Sequence, residues 1–473
     1  MTRGLTFHQL MVGLLFGALA TCACLMPAQV DTFWHLRAGQ DIWRTLRVPL
    51  DDHYSYTAAG RFWPNHEWLW QAASYGLFGV GGPRLLVAGG AAMVIGAAAI
   101  VYRLMVGPTS TRFVLMLLGF PLVSCFWVMR PQIASQLLLA VLLWALVTER
   151  YLVLPILFVV WANVHGGVAM GGLVLGAATV LALVRARGGD GRDRRRALVL
   201  GLVTPICALA TALTPLGFRL WRFIGPSLLL LQEYKIVEWQ PTLHFRSFGI
   251  AFWILAAAFV ALAIWRRRFL RTAPWGDTVL TVGALVVLPL AFRIVRNTPV
   301  FLLIAMPAAS RLLGPDFVVA GKRSRPASVE HPRLNVALLA GISLAEVVCL
   351  LGAWNVSNTE LGWRPLSAGA LAAVRACPAQ IYNGYNEGGY LIWLAPEKRV
   401  FLDSRQDPYP PWLMKDLTAI EGGAPYRPTF DRYGIRCAFV PARSKTGDRL
   451  RGDGWLARFA DEKWAVLVAP GVG

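Results

Sequence analysis

DTFWHLRAGQDIWRTLRVPLDDHYSYTAAGRFWPNHEWLW, residues 31–70, decides how this chain must be arranged. The stretch holds five carboxylates, three histidines, four arginines and five tryptophans. The sequence on either side is apolar enough for lipid, whereas these forty residues are not. They form a loop at a membrane surface, and their density of ionisable and aromatic side chains is that of a candidate active-site loop.

The rest of the chain supplies the membrane. Of 473 residues 56% are hydrophobic and 15% charged, with a mean hydropathy of +0.51, whereas soluble domains carry about a quarter charged residues. Thr6 to Pro27 covers the roughly 20 apolar residues a bilayer crossing needs and is read as a retained first span. Further apolar runs at about 84–102, 112–128, 131–147, 151–163, 168–185, 197–213, 247–265, 275–292, 298–312 and 335–353 bring the expected total to about eleven spans. The expected fold class is an α-helical polytopic membrane protein.

The net charge of +20 would suggest nucleic acid in a soluble chain. Here the arginines collect in short loops such as GRDRRR (191–196), RRRFLR (266–271) and GKRSRP (321–326), the pattern of cytoplasmic loops. No basic face accompanies a reading motif, so nucleic-acid binding is excluded. Sidedness then turns on Leu69 to Val80. As a helix these residues reach about 18 Å, short of a hydrocarbon core of about 30 Å. Read as a surface-lying amphipathic helix, the segment leaves the N-terminus and every basic cluster on the cytoplasmic side.

That choice gathers the unusual polar residues of the membrane part on the opposite face. They are the 31–70 loop, Arg130 in MRPQ, Asn163 and His165 in WANVHGG, Glu238 and Trp239 in a second surface segment at 215–245, and Arg293, Arg296 and Asn297. Ionisable groups at membrane depth are costly and mark functional sites. A polar linker at 314–334 returns to the cytoplasm before the last span.

The division expected from sequence is a transmembrane catalytic domain, residues 1–353, with its first extracytoplasmic loop at 28–83, and a small extracytoplasmic α/β domain, residues 354–473. In the latter, Tyr390 to Leu394 reads as a short helix or strand, Arg399 to Leu402 as a buried strand, and CAFVPA (437–442) and WAVLVAP (464–470) as two more. Cys377 and Cys437 form either a disulfide or two free thiols. The other five cysteines lie in apolar runs.

Asp31 sits just past the first span, followed by Trp34, His35 and Arg37. A carboxylate there can act as a general base toward an incoming hydroxyl or amine, or as the N-cap of the following helix. Asp51, Asp52 and His53 read either as a turn or as a site for a divalent cation or second acid. His66 and Glu67 close the loop. Arg130, His165, Arg293 and Arg296 come from different spans but one face, and the arginine fork matches phosphate. The Asn- and Gly-rich YNGYNEGGY (382–390) and the LDSR that follows place Asn383, Asn386, Tyr390, Asp403 and Arg405 as candidates on an acceptor-side surface.

Taken in order, DTFWHLRAGQ, PLDDHYSYTAAGRFW, HEWL, RPQ, WANVHGG, YNGYNEGGYLIW and RVFLDSR are similar to motifs of a group of bacterial membrane proteins that resemble the GT-C glycosyltransferases. The resemblance is scattered over most of the chain. It implies inverting transfer of a sugar from a polyprenyl-phosphate-linked donor to an extracytoplasmic acceptor, in a bacterial cytoplasmic membrane. By position it makes Asp31 the base. Members of the class often pair two acids at that point, whereas Thr32 follows Asp31 here, so Asp52 or Glu67 is left to supply a second carboxylate and a divalent cation (Mg2+ or Mn2+) stays open. The alternatives are a lipid-linked-sugar transporter or non-catalytic assembly protein, and a polysaccharide polymerase or ligase.

Overall fold

The computed structural model describes residues 6–222, 237–314, 332–356 and 361–471, excepting the side chains of Pro332, Cys349 and 352–356. Residues 315–331 of the linker expected at 314–334, and the middle of the surface segment at 215–245, lie outside the described residues. Each apolar run read as a span falls on a helix, because a backbone in lipid must satisfy its own hydrogen bonds. Among the described residues five helices are long and apolar enough to cross a membrane: Phe7–Cys24, Trp68–Leu104, Val168–Ala186, Arg246–Trp265 and Trp275–Arg293. Thr109–Ser124, Gln132–Val147 and Tyr151–Val164 are shorter apolar helices. The Trp68–Leu104 helix is broken at Gly81 and Gly82, the latter at φ 61°, just before Pro83. Leu69 to Val80 is therefore a helix of its own.

The chain divides into two compact units, one of Met1–Met26 with Val87–Val356, the other of Pro27–Leu86 with Ser357–Gly473. In the first, Trp275–Arg293 packs against Thr298–Leu313, and Val168–Ala186 against Gly191–Ala210. Small residues permit two further close approaches: a Cβ on Gly171 would stand 2.5 Å from the ring of Trp161 in the Tyr151–Val164 segment, and one on Gly119 of Thr109–Ser124 2.5 Å from Met306 Sδ of Thr298–Leu313. Ion pairs tie the loop-side helix ends, Arg185 and Arg196 on Asp193, Arg196 on Glu149, and Arg311 on Asp277 at 2.9 Å.

The second unit holds a four-stranded mixed sheet with β1 (Gln380–Asn383), β2 (Ile435–Pro441), β3 (Leu456–Ala460) and β4 (Trp464–Val468) in the order β1-β2-β4-β3. β1 runs parallel to β2, and β4 antiparallel to both β2 and β3. One core joins Trp34, Tyr54 and Trp63 of the 31–70 stretch to Ile381, Leu391, Val400, Phe439 and Val466 of the tail. Burying side chains of this size stabilises by about 1.5–3 kcal/mol each. The sequence boundaries assign the loop to the membrane part; its aromatic side chains instead make it half of a domain whose other half lies more than 300 residues later.

One further sequence expectation changes, and one reading left open between helix and strand is decided. Arg399 to Leu402 belongs to no sheet strand: Val400 makes an isolated parallel bridge with Ser55, and Val400, Phe401 and Leu402 are buried while Arg399 is exposed. Tyr390 lies in a helix, Glu387–Leu394, that packs on the Val30–Thr45 helix. Glycine is required there, since a Cβ on Gly389 would meet the Val30 carbonyl oxygen at 2.6 Å and one on Gly388 the Leu402 oxygen at 2.1 Å.

Cys377 and Cys437 are joined in a disulfide across 60 residues. A loop of that length corresponds to about 4 kcal/mol of lost chain entropy in the unfolded state. Reduction, or the double substitution Cys377→Ser with Cys437→Ser, is expected to lower the unfolding midpoint of this unit. An unchanged midpoint after reduction would show that the bridge carries no such stability.

Candidate active site

Asp31 lies in the first turn of the Val30–Thr45 helix, where the helix dipole favours negative charge. The N-cap is Gln29, whose backbone N–H donates to the Thr32 hydroxyl at 3.0 Å, so Asp31 is not spent on capping. It is 8% exposed. Its Oδ1 accepts from Trp34 Nε1 at 3.1 Å and from the Ser404 hydroxyl, and Trp34 Nε1 also donates to Ser404 Oγ at 3.1 Å. Ser404 is a site residue that the sequence reading missed. It sits one position from two residues that were singled out, and only the fold brings it to Asp31.

Glu67 stands between two imidazoles, with His35 Nε2 at 3.6 Å and His66 Nε2 at 3.7 Å. Arg37 pairs with Asp41 at 3.3 Å, a carboxylate that also accepts from the Tyr54 hydroxyl and lies 3.3 Å from His53 Nε2. Asp52 corrects the sequence reading. It is 1% exposed, takes Ser55 Oγ at 2.5 Å and Arg405 Nη2 at 2.6 Å, and is out of a substrate's reach. With Asp51 exposed, Asp52 on Arg405 and His53 beside Asp41, this trio does not converge as cation ligands. No group of three or more His, Cys, Asp or Glu side chains able to hold a metal occurs among the described residues.

The tail candidates divide. Asn383 is buried and structural: its Nδ2 donates to the Gly384 and Leu402 carbonyls while Oδ1 accepts from the Phe401 N–H. Asp403 and Arg405 are likewise interior. Asp403 Oδ1 accepts from Arg405 Nε at 2.8 Å and Oδ2 from Arg405 Nη2 at 2.7 Å and Tyr409 Oη at 2.5 Å. The Arg405 guanidinium lies over the rings of Tyr54 and Trp63, at 4.9 and 4.7 Å. Of these three, Arg405 ties the tail to the loop through Asp52, Tyr54 and Trp63, Asp403 holds Arg405, and Asn383 braces the tail itself. Asn386 is exposed and half-buried Tyr390 packs edge-on to Phe33 at 5.3 Å. Burial, then Glu387 and Asp31, push the Tyr390 hydroxyl up to about 12.

Glu387 is the second missed residue, masked in sequence by the glycines around it. Burial, and then the Glu421 carboxylate, push it up to about 7. The folded form keeps this proton to about pH 7, while an ordinary glutamate, as in the unfolded chain, gives it up near 4.5. The folded state thus binds more protons in between, and stability falls as pH rises from about 4.5 to about 7. The full effect is about 3 kcal/mol. Thermal unfolding at pH 5 and pH 8 without divalent cations is expected to show this loss, and Glu387→Gln to flatten it; an equal slope in the variant would remove Glu387 as its source.

In the first unit a separate cluster forms around one carboxylate. Arg130 donates to both Glu238 oxygens, at 2.9 and 3.0 Å, and Arg296 approaches the same carboxylate at 3.5 Å. Arg296 also reaches His165 Nε2 at 3.3 Å, and the other ring nitrogen lies 2.8 Å from Ser135 Oγ, which accepts from Trp161 Nε1. Trp239 stacks on Arg296 at 5.6 Å. Of the two expected arginines Arg296 joins the cluster, while Arg293 is exposed. The Asn163 amide donates to the Val159 and Leu213 carbonyls. At the end of the Tyr151–Val164 helices it is His165 that meets Arg296.

No family model matches the sequence, and no curated protein does. Solved structures do match. The archaeal oligosaccharyltransferase AglB from Archaeoglobus fulgidus, in complex with an inhibitory peptide and a dolichol-phosphate, superimposes with a TM-score of 0.57 at 11% identity, over 91% of this chain and 69% of that one. The same enzyme tethered to an acceptor peptide gives 0.55 at 10% identity. ArnT from Cupriavidus metallidurans in the apo state gives 0.50 at 12% identity, over 97% of each chain. These neighbours are membrane glycosyltransferases of the GT-C class, and the chain has their polytopic membrane fold.

Proposed function

We propose that this protein is a membrane glycosyltransferase that moves a sugar from a polyprenyl-phosphate-linked donor to an extracytoplasmic acceptor with inversion. The observation that carries the reading is the convergence of Arg130 and Arg296 on the single carboxylate of Glu238. Two arginines that already hold a carboxylate, one of them by both oxygens, can hold a phosphate in the same way. On this reading Asp31 takes the proton from the acceptor hydroxyl or amine, and that atom attacks the anomeric carbon from the face opposite the phosphate. The sugar–phosphate bond breaks, its electron pair leaves on the phosphate oxygen, and the arginines offset the developing charge. His165 and Glu67 with its two histidines are assigned to positioning, and the loop-plus-tail unit to the extracytoplasmic side.

The fold supports a transferase, and the disulfide suits an oxidising compartment. The test is incubation of the purified protein with labelled polyprenyl-phosphate sugars and extracts of cell-surface acceptors. Transfer of label with release of polyprenyl phosphate is expected. Movement of the lipid across the bilayer without bond cleavage would replace this reading by transport.

A further inference from the structure

The turn between β1 and the Glu387–Leu394 helix brings together two carboxylates that the transfer chemistry does not use. Glu387 opens the helix and Glu421 comes from the end of the Pro411–Gly422 helix. Gly384 separates them: a Cβ placed on it would stand 2.3 Å from Glu387 Oε2 and 2.7 Å from Glu421 Oε1. Adding the two legs bounds the distance between the oxygens at 5.0 Å.

Their surroundings leave this pair of like charges uncompensated. Glu387 is 7% exposed; among the described residues neither glutamate has an ion pair, and the hydrogen bond that reaches Glu421 is the Tyr385 N–H at 3.4 Å. Lys445 and Arg449 approach Gly423 and bond to neither. The Tyr382 hydroxyl, 1% exposed, feels both carboxylates and, beside Thr446, makes no hydrogen bond of good geometry. Glu421 is exposed, which opens the pair to solvent on one side.

We propose that Glu387 and Glu421 hold a hard divalent cation of the Ca2+ type. Two carboxylate oxygens within this separation can both reach an ion at 2.3–2.6 Å, with water completing the shell. With two protein carboxylates the affinity belongs at the weak end of such sites, on the order of 10⁻⁴–10⁻³ M, as in extracellular modules. Side-chain space at Gly384 would force the glutamates apart, which accounts for glycine there. The bound ion fixes the turn that starts the Glu387–Leu394 helix, and that helix packs on the one carrying Asp31. The ion is thus a clamp on the loop-plus-tail unit and takes no part in transfer.

The test uses the full-length protein in detergent, stripped with EDTA, at pH 8, where Glu387 has lost its proton. Tb3+ luminescence excited through the neighbouring tyrosines is expected to be displaced by millimolar Ca2+, and Ca2+ to raise the unfolding midpoint. Glu421→Gln, at an exposed position, is expected to weaken the Ca2+-displaceable signal at least tenfold and abolish the midpoint shift with an unchanged near-UV circular dichroism spectrum; Glu387→Gln should do the same. Equal Ca2+ responses in wild type and Glu421→Gln, or no response in wild type, would overturn the proposal and leave the pair as a site that shares a proton.

Discussion

Arg405→Met is expected to destabilise the loop-plus-tail unit by about 3–5 kcal/mol, the cost of leaving buried charge without its partner. Arg405 is wholly enclosed, with the carboxylates of Asp52 and Asp403 on Nη2 at 2.6 and 2.7 Å. Asp52 and Asp403 come from parts of the chain 351 positions apart, so the guanidinium is the charge that allows loop and tail to close over two acids. Methionine keeps much of the length that lies over Tyr54 and Trp63 but leaves two carboxylates facing each other in an apolar core. Denaturant unfolding followed by tryptophan fluorescence reads this directly, because Trp34 and Trp63 lie in that core. Adding Asp52→Asn and Asp403→Asn to Arg405→Met should recover part of the loss, since replacing a complete buried ion cluster costs far less than breaking it. A single variant as stable as the wild type would show that the cluster does not hold the two segments together.

The same network marks the limit of what the sequence discloses. The helices of the membrane part were legible because about twenty apolar residues in lipid have one way to satisfy their backbone, and the break at Gly81–Pro83 agrees with a short separate helix over 69–80. Strands β2 and β4 were legible as continuous apolar runs; β1, with four residues, and β3, largely exposed along LARFA, carry no such signal. Side-chain roles were harder. Asp51, Asp52 and His53 look the same in sequence whether they converge on a cation or turn to Arg405 and Asp41. YNEGGY reads as turn chemistry, yet Gly388 and Gly389 are there because the Leu402 and Val30 carbonyls pass at 2.1 and 2.6 Å from where a side chain would begin. Ser404 reaches Asp31 across 373 positions, a separation that no local pattern encodes. Arg130 and Arg296 were found from their place at span ends, but their shared anion, Glu238, follows from the fold.

On the proposed mechanism, Asp31→Asn is expected to reduce sugar transfer by about 10²–10⁴-fold, the range assigned to a general base, with the unfolding midpoint unchanged. The asymmetry follows from the contacts. An asparagine oxygen still accepts from Trp34 Nε1, which lies 3.1 Å from Asp31 Oδ1, and from the Ser404 hydroxyl, so the helix start and its tie to the tail survive. What the amide cannot do is accept the acceptor's proton. The loss should therefore fall on kcat, with KM for the donor nearly unchanged, because on this reading the donor phosphate is held by Arg130 and Arg296. Ser404→Ala is the control for position against basicity. It removes one hydrogen bond to the carboxylate but leaves the base, so a smaller loss is expected, on the order of tenfold for about 1.4 kcal/mol of lost orientation. If Asp31→Asn transfers sugar at the wild-type rate, Asp31 is not the base. If Ser404→Ala and Asp31→Asn lose the same activity, Asp31 acts by holding the tail in place, and the proton must be taken by another group, with Glu67 between His35 and His66 the next candidate.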